Sequence, residues 1–239
     1  MSTTKGYKIT TATPDRNGIA AAQQLVGAGA VIMDGDLVSG GVYRTTDTVT
    51  DVNSGVVTTG RVARKISFYS GSNLSAVNFS VTGTLLPGGP SVTETGIVGP
   101  NNSTVLSSNY FVTVTAVAAD AAVGADVEVG TGNTTTSNQI ATPPIILERK
   151  LPSFAVAVTV NAGTVSVDAQ QTIQPILANT SDYSSLDGTG WKDITNATAV
   201  TSATTLTNSI IPTYAVRAVT NSYSTGAIFT LHVLEPDND

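Results

Sequence analysis

The feature that most constrains this chain is a recurring alternation of apolar and hydroxyl-bearing residues in short runs. Ile66 and Phe68 alternate with Lys65, Ser67 and Tyr69, and Val77, Phe79 and Val81 alternate with Asn78, Ser80 and Thr82. Phe154, Val156, Val158 and Val160 repeat the pattern, as do Tyr214, Val216 and Ala218. In the last run Ala227, Phe229, Leu231 and Val233 share one face, with Ile228, Thr230, His232 and Leu234 on the other. Side chains of a strand point alternately to its two faces, so a period of two predicts strands with one buried face each. Turn signals bound the runs: Ser70-Gly71-Ser72-Asn73, Pro87-Gly88-Gly89-Pro90, Gly99-Pro100-Asn101-Asn102 and Asn161-Ala162-Gly163. The fold class predicted is all-β: tandem antiparallel β-sandwich domains, jelly-roll or Ig-like, with an extended N-terminal segment.

Composition supports a folded β-protein. Only 12% of the 239 residues are charged, about half the usual share. Disordered chains combine low hydrophobicity with high net charge, whereas here the polarity comes from Ser, Thr and Asn. Threonine is β-branched and suits a half-buried pleated surface.

Along the chain, residues 1–60 are the least regular and read as an extended N-terminal arm or a set of edge strands. Within them, Ile19 to Val26 fits a short helical turn or a strand equally well. Ala30-Val31-Ile32-Met33, Asp34-Gly35-Asp36 and Leu37-Val38 read as strand, tight turn and strand. A first β-domain is predicted at 61–132. A linker follows at 133–147, polar through Thr142 and stiffened by Pro143-Pro144. A second β-domain is predicted at 148–239. Lys65–Thr84 and Ala155–Gln174 share a style that suggests a degenerate tandem pair.

The residues carry few signs of catalytic or binding chemistry. The net charge is −6, and the basic clusters Arg61, Arg64, Lys65 and Arg149, Lys150 are too small for a phosphate-binding face. Nucleic acid is therefore not an expected partner. Cysteine is absent, which excludes disulfides and thiolate metal sites. The apolar stretch Ile19–Met33 is interrupted by Gln23, Gln24, Gly27 and Gly29 and is too short to span a bilayer. The first residues lack the apolar core of a signal peptide, so synthesis in a cytoplasm and no membrane partner are expected. The single histidine, His232, lies in a strand pattern, and no Gly-x-Ser-x-Gly elbow or Walker motif occurs. Among the carboxylates Glu94, Asp126, Glu128, Glu148, Asp168 and Asp193, spacing singles out no acid–base pair. Asp34-Gly35-Asp36 and Asp182 to Asp187 offer oxygen ligands, but Asp and Gly are also what tight turns use. No enzyme, cofactor or metal is expected. Trp191, Tyr183 and Tyr214 are the candidate partner-interface residues, because aromatics anchor interfaces.

Several segments resemble virion proteins of tailed bacteriophages. They include Asn17-Gly18-Ile19-Ala20-Ala21-Ala22-Gln23-Gln24, Gly27-Ala28-Gly29-Ala30 and Asp34-Gly35-Asp36-Leu37-Val38-Ser39-Gly40-Gly41-Val42. Asn78 to Thr84, Tyr110 to Val117, Val123 to Gly130 and the Tyr214–Val219 and Gly226–Leu234 runs look similar too. The resemblance covers most of the chain through loose, compositional motifs. It implies a particle component without catalytic residues, located in the virion. Within that class a capsid decoration, or cement, protein is favoured. Its implied partners are the major capsid protein or other virion subunits, and it is expected to be a homo-oligomer. An N-terminal arm would add strands to neighbouring sheets, and many weak copies would act together. The alternative is a tail or tail-fibre protein binding the host surface, through Trp191 and Tyr183. A particle-bound glycosidase is the remote third reading.

Overall fold

The computed structural model describes residues 3–132, 139–147, 154–173, 190–201, 205–209 and 213–235. In chain order the first strands are β1 (Thr3–Thr10), β2 (Ala20–Leu25), β3 (Gly29–Ala30), β4 (Val38–Ser39), β5 (Val42–Arg44), β6 (Thr48–Asp51) and β7 (Val57–Thr59). The middle of the chain forms β8 (Ala63–Asn73), β9 (Asn78–Thr84), β10 (Ser91–Val98), β11 (Asn101–Phe111), β12 (Thr113–Ala119) and β13 (Val123–Gly130). The remainder gives β14 (Ile140–Ala141), β15 (Ile145–Ile146), β16 (Phe154–Ala162), β17 (Val165–Thr172) and β18 (Lys192–Asp193). Last come β19 (Thr205–Ser209), β20 (Ala215–Tyr223) and β21 (Ile228–Glu235). The fold is all-β, built of several antiparallel sheets, and none of the described sheets closes into a barrel.

The chain forms two compact units, each assembled from separate segments. One comprises Met1–Thr13, Asp47–Val62 and Gln139–Asp239; the other comprises Pro14–Thr46 and Ala63–Asn138. These differ from the sequential blocks suggested by composition, because residues 1–60 are shared between both units. Far from trailing as an arm, β1 lies inside a sheet of order β19-β16-β21-β1-β6-β7. It pairs with β21 from Thr3↔Glu235 to Thr10↔Ile228, and with β6 from Tyr7↔Asp51 to Thr10↔Thr48. Gly6 makes this placement possible, since a Cβ there would sit 2.7 Å from the Leu231 carbonyl oxygen. The part of the expected linker that is described also belongs to the first unit: Ile140, Ile145 and Leu147 are buried in its core.

That core is fed by two sheets. From the six-stranded sheet come Ile9, Val49, Val156, Val158, Phe229, Leu231 and Val233. From β17 and β20, which pair with each other, come Val165, Val167, Ala169, Val216 and Ala218. Each fully buried Val, Leu, Ile or Phe contributes about 1.5–3 kcal/mol relative to exposure. The alternation read in the sequence is thus the alternation of burial: along β21, Phe229, Leu231 and Val233 are buried while Ile228, His232 and Leu234 are only partly covered.

The second unit follows the same logic. One sheet has the order β10-β9-β12-β5-β4, with β3 also on β12. The other strands pair as β11 with β8, β8 with β13, and β13 with β2. Phe68 on β8 and Phe79 on β9 meet with ring centroids 4.8 Å apart at an interplanar angle of 31°, which joins the two groups of strands. Of the two readings open for Ile19 to Val26, the strand is the one observed, as β2 over Ala20–Leu25. One local expectation is corrected. The tight hairpin falls not at Asp34-Gly35-Asp36 but at Gly40-Gly41, between β4 and β5. Both glycines have positive φ, 61° and 75°, as a two-residue hairpin turn of the right twist requires. The runs before and after the expected Ser70–Asn73 turn are strands, but β8 continues through those residues to Asn73, β8 and β9 enter different sheets, and so do β16 and β17.

Candidate interaction surface

Of the three candidate interface residues, Tyr183 lies outside the described residues. Trp191 is 4% exposed. The guanidinium of Arg217 on β20 sits 4.3 Å from its ring centroid, and Arg217 is fixed in turn by Nε donating to Gln170 Oε1 at 3.1 Å. Gln170 Nε2 then donates to Asp193 Oδ1 at 3.0 Å. One face of the indole is therefore covered by a cation–π contact, and its buried Nε1 has no acceptor among the described residues. Tyr214 is partly buried. Its backbone bridges two segments, with its N–H on Thr172 O at 2.8 Å and its carbonyl accepting from Leu147 N at 3.0 Å. The structure does not bring Trp191 and Tyr214 together as an open aromatic platform.

Several of the candidate carboxylates also turn out to be engaged. Glu94 accepts from the Ser108 and Asn109 backbone N–H groups at 2.7 and 2.9 Å. Asp168 accepts from Ala199 N at 2.6 Å and Asn221 Nδ2 at 2.9 Å. Asp126 takes Gln24 Nε2 at 2.9 Å, and Glu128 pairs with Arg16. Asp34 accepts from Ala21 N at 2.9 Å. Glu148 and the Asp182–Asp187 stretch lie outside the described residues. Among the described residues no group of three or more His, Asp or Glu is placed to hold a metal ion. Arg64 is buried, Lys65 lies 5.3 Å from the Tyr110 ring centroid, and Arg61 is exposed, so the three do not form one basic patch.

The surface feature that stands out is apolar. Among the described residues the exposed large hydrophobics are Val26, Ile32, Val56, Val57, Val98, Ile146 and Ile173. They lie in loops, on the short strand β15, or on strands at the ends of sheets. The best-defined group is the β6–β7 hairpin. Asp51 builds its turn: its Oδ1 accepts from Asn53 N and Ser54 N, each at 2.9 Å, and its carbonyl accepts from Gly55 N at 2.8 Å. The Ser54 N–H first, then the Asn53 N–H and the Ser54 hydroxyl, hold the Asp51 carboxyl below its ordinary value of 3.8, with nearby Arg61 adding to the effect. The turn thereby presents Val56 and Val57, 56% and 61% exposed. Beside it runs a cleft of about 430 Å³ lined by Lys5, Tyr7, Asp51, Asn53, Arg61 and Ile146, among others. Lys5 in its lining has Nζ 3.1 Å from Glu235 Oε1 and 3.1 Å from the Ile146 carbonyl oxygen.

Sequence reasoning missed this hairpin because Thr48–Thr59 alternates weakly. The signal present was the Asp51-x-Asn53-Ser54-Gly55 run, a turn sequence between two valine–threonine stretches. No family model matches this chain, and neither does any curated protein or solved structure.

Proposed function

We propose that this protein is a non-enzymatic assembly subunit that works through protein–protein contacts, a capsid decoration or cement protein of a tailed-bacteriophage particle. Each compact unit is then a β-sandwich of the jelly-roll or Ig-like kind, a reading supported by the shared core of two sheets in the first unit and the Phe68–Phe79 contact in the second. The observation that carries the functional reading is the placement of the exposed apolar side chains on loops and outer strands, with the β6–β7 hairpin the clearest case. Open edges bearing valines and no charge are where a sheet accepts another chain. The phage-like sequence segments supply the particle context, and multiplicity makes weak contacts sufficient there. The partners are the major capsid protein and further copies of this chain. The test is a shell-stability assay in which purified protein is added to particles lacking it and heated. A cement protein raises the temperature at which DNA is released. An unchanged release temperature, with the protein bound at the tail or not bound, removes the cement reading.

A further inference from the structure

We infer that the outer edge of β7 is a self-association site, where two copies of this chain join their six-stranded sheets through an antiparallel β7–β7 pair centred on Thr58; this deepens the assembly reading above and rests on it. Among the described residues β7 is the last strand of its sheet, bonded to β6 on one side only. Its register is Thr50↔Val57, Val49↔Thr58 and Thr48↔Thr59, and Asp51 N–H donates to Val56 O at 3.0 Å. Hydrogen-bonded and non-hydrogen-bonded pairs alternate in an antiparallel ladder. Since 51/56 is bonded, 49/58 is the next bonded pair, so the N–H and C=O groups of Val57 and Thr59 point away from β6. Among the described residues nothing meets these outward groups.

Natural sheet edges are blunted by Lys, Pro, bulges or inward charges, and other edges of this protein carry such devices. On β10 the ladder is broken between Glu94 and Ile97, with Gly96 at φ 73°. On β2, Asp34 caps Ala21 N, and the Gln23 side chain bonds both the N–H and the C=O of Ile32. The β7 edge has none of them: Val56-Val57-Thr58-Thr59-Gly60 holds no charge, no proline and no bulge.

The pattern is self-complementary, which singles out a second copy as the occupant. With a two-fold axis at Thr58, Val57 of one chain faces Thr59 of the other, and the outward groups of both pairs exchange four backbone hydrogen bonds. This is an isologous contact. Two chains each of net charge −6 would repel through most surfaces, but here an uncharged strand meets itself. Beyond it, the same register sets exposed Arg61 opposite Gly55 of the other copy, at the turn that holds the Asp51 carboxylate. The short contact is weak alone and strengthens when copies are held in an array.

The absence of cysteine makes the test clean. The centre of the pair is a non-hydrogen-bonded position, where Cα atoms lie about 4.5 Å apart, within disulfide reach. The full chain carrying Thr58→Cys is oxidised mildly and compared with Ser222→Cys, an exposed strand position elsewhere. The expected result is at least about tenfold more covalent dimer from Thr58→Cys, because a thiol pair held together greatly exceeds its collisional concentration. Adding Val57→Lys, at a side chain already exposed, is expected to remove that excess while leaving the melting temperature unchanged. If Thr58→Cys does not fold, mixing Val57→Cys with Thr59→Cys protein gives the same readout. Equal cross-linking at positions 58 and 222, or none at either, overturns the β7 contact. Such a result leaves the assembly reading to the shell-stability assay, which does not depend on it.

Discussion

Phe68 and Phe79 show how single residues decide this fold. Both are fully buried and each reaches the other from a different sheet of its unit. Replacing Phe79 by alanine removes the contact and leaves a cavity, so denaturant unfolding should show a loss of about 3–5 kcal/mol. Trp191 supplies a second test at this scale. As the only tryptophan, buried beneath Arg217, it should emit at short wavelength. Arg217→Ala uncovers the ring, and the emission maximum should shift to the red. An already red-shifted spectrum in the unaltered protein would instead place the indole in water, as the host-surface reading requires. Asp51 carries the pH dependence. Its carboxyl is held below 3.8 by the turn's N–H donors, so the charged form belongs to the folded hairpin. What it adds to stability is present above pH 3.8 and is lost as pH falls through the depressed value. An NMR titration of the Ser54 amide should therefore have its midpoint below 3.8, and Asp51→Asn should abolish that titration.

At the scale of elements, alternation told which residues face inward but not which strand lies beside which. Lys65–Tyr69 and Val77–Thr82 were legible as strands because their side chains segregate two by two. Their partners were not, because every backbone presents the same N–H and C=O groups and only distant residues choose among them. β8 pairs with β11 and β13, and β9 with β10 and β12. Close approaches mark these choices afterwards. At Gly83 a Cβ would lie 1.9 Å from the Thr113 carbonyl oxygen, so only glycine lets β9 and β12 run together there. Gly83→Ala should cost at least about 1–3 kcal/mol through forced backbone movement, seen as a lowered urea midpoint. β1 escaped notice for a related reason. Only Tyr7 and Ile9 of Thr3–Thr10 are large and apolar, and its place between β21 and β6 is set by those neighbours.

For the whole molecule, the two units are woven from alternating stretches of chain: the path leaves one for the other after Thr13, Thr46, Val62 and Asn138. Composition could not show this, since both units draw on the same Thr-, Val- and Ser-rich vocabulary. The weave has a consequence that an N-terminal arm would not. Deleting residues 1–60 removes β1 to β7 and strips β21, β13 and β12 of neighbours, so the truncated protein should be insoluble or lack a β-sheet circular dichroism spectrum. A detachable arm would leave a soluble, folded remainder. The candidate site was barely legible: the low charge was visible, the turn residues Asp51–Gly55 passed unread between weakly alternating stretches, and the open edge of β7 exists only once the sheet is assembled. The claim on which the rest depends is that this surface serves a particle shell, and electron microscopy of particles assembled with and without the protein tests it most directly. Extra density repeated over the shell surface is the expected result. Density confined to the tail, or particles identical in both preparations, would contradict it.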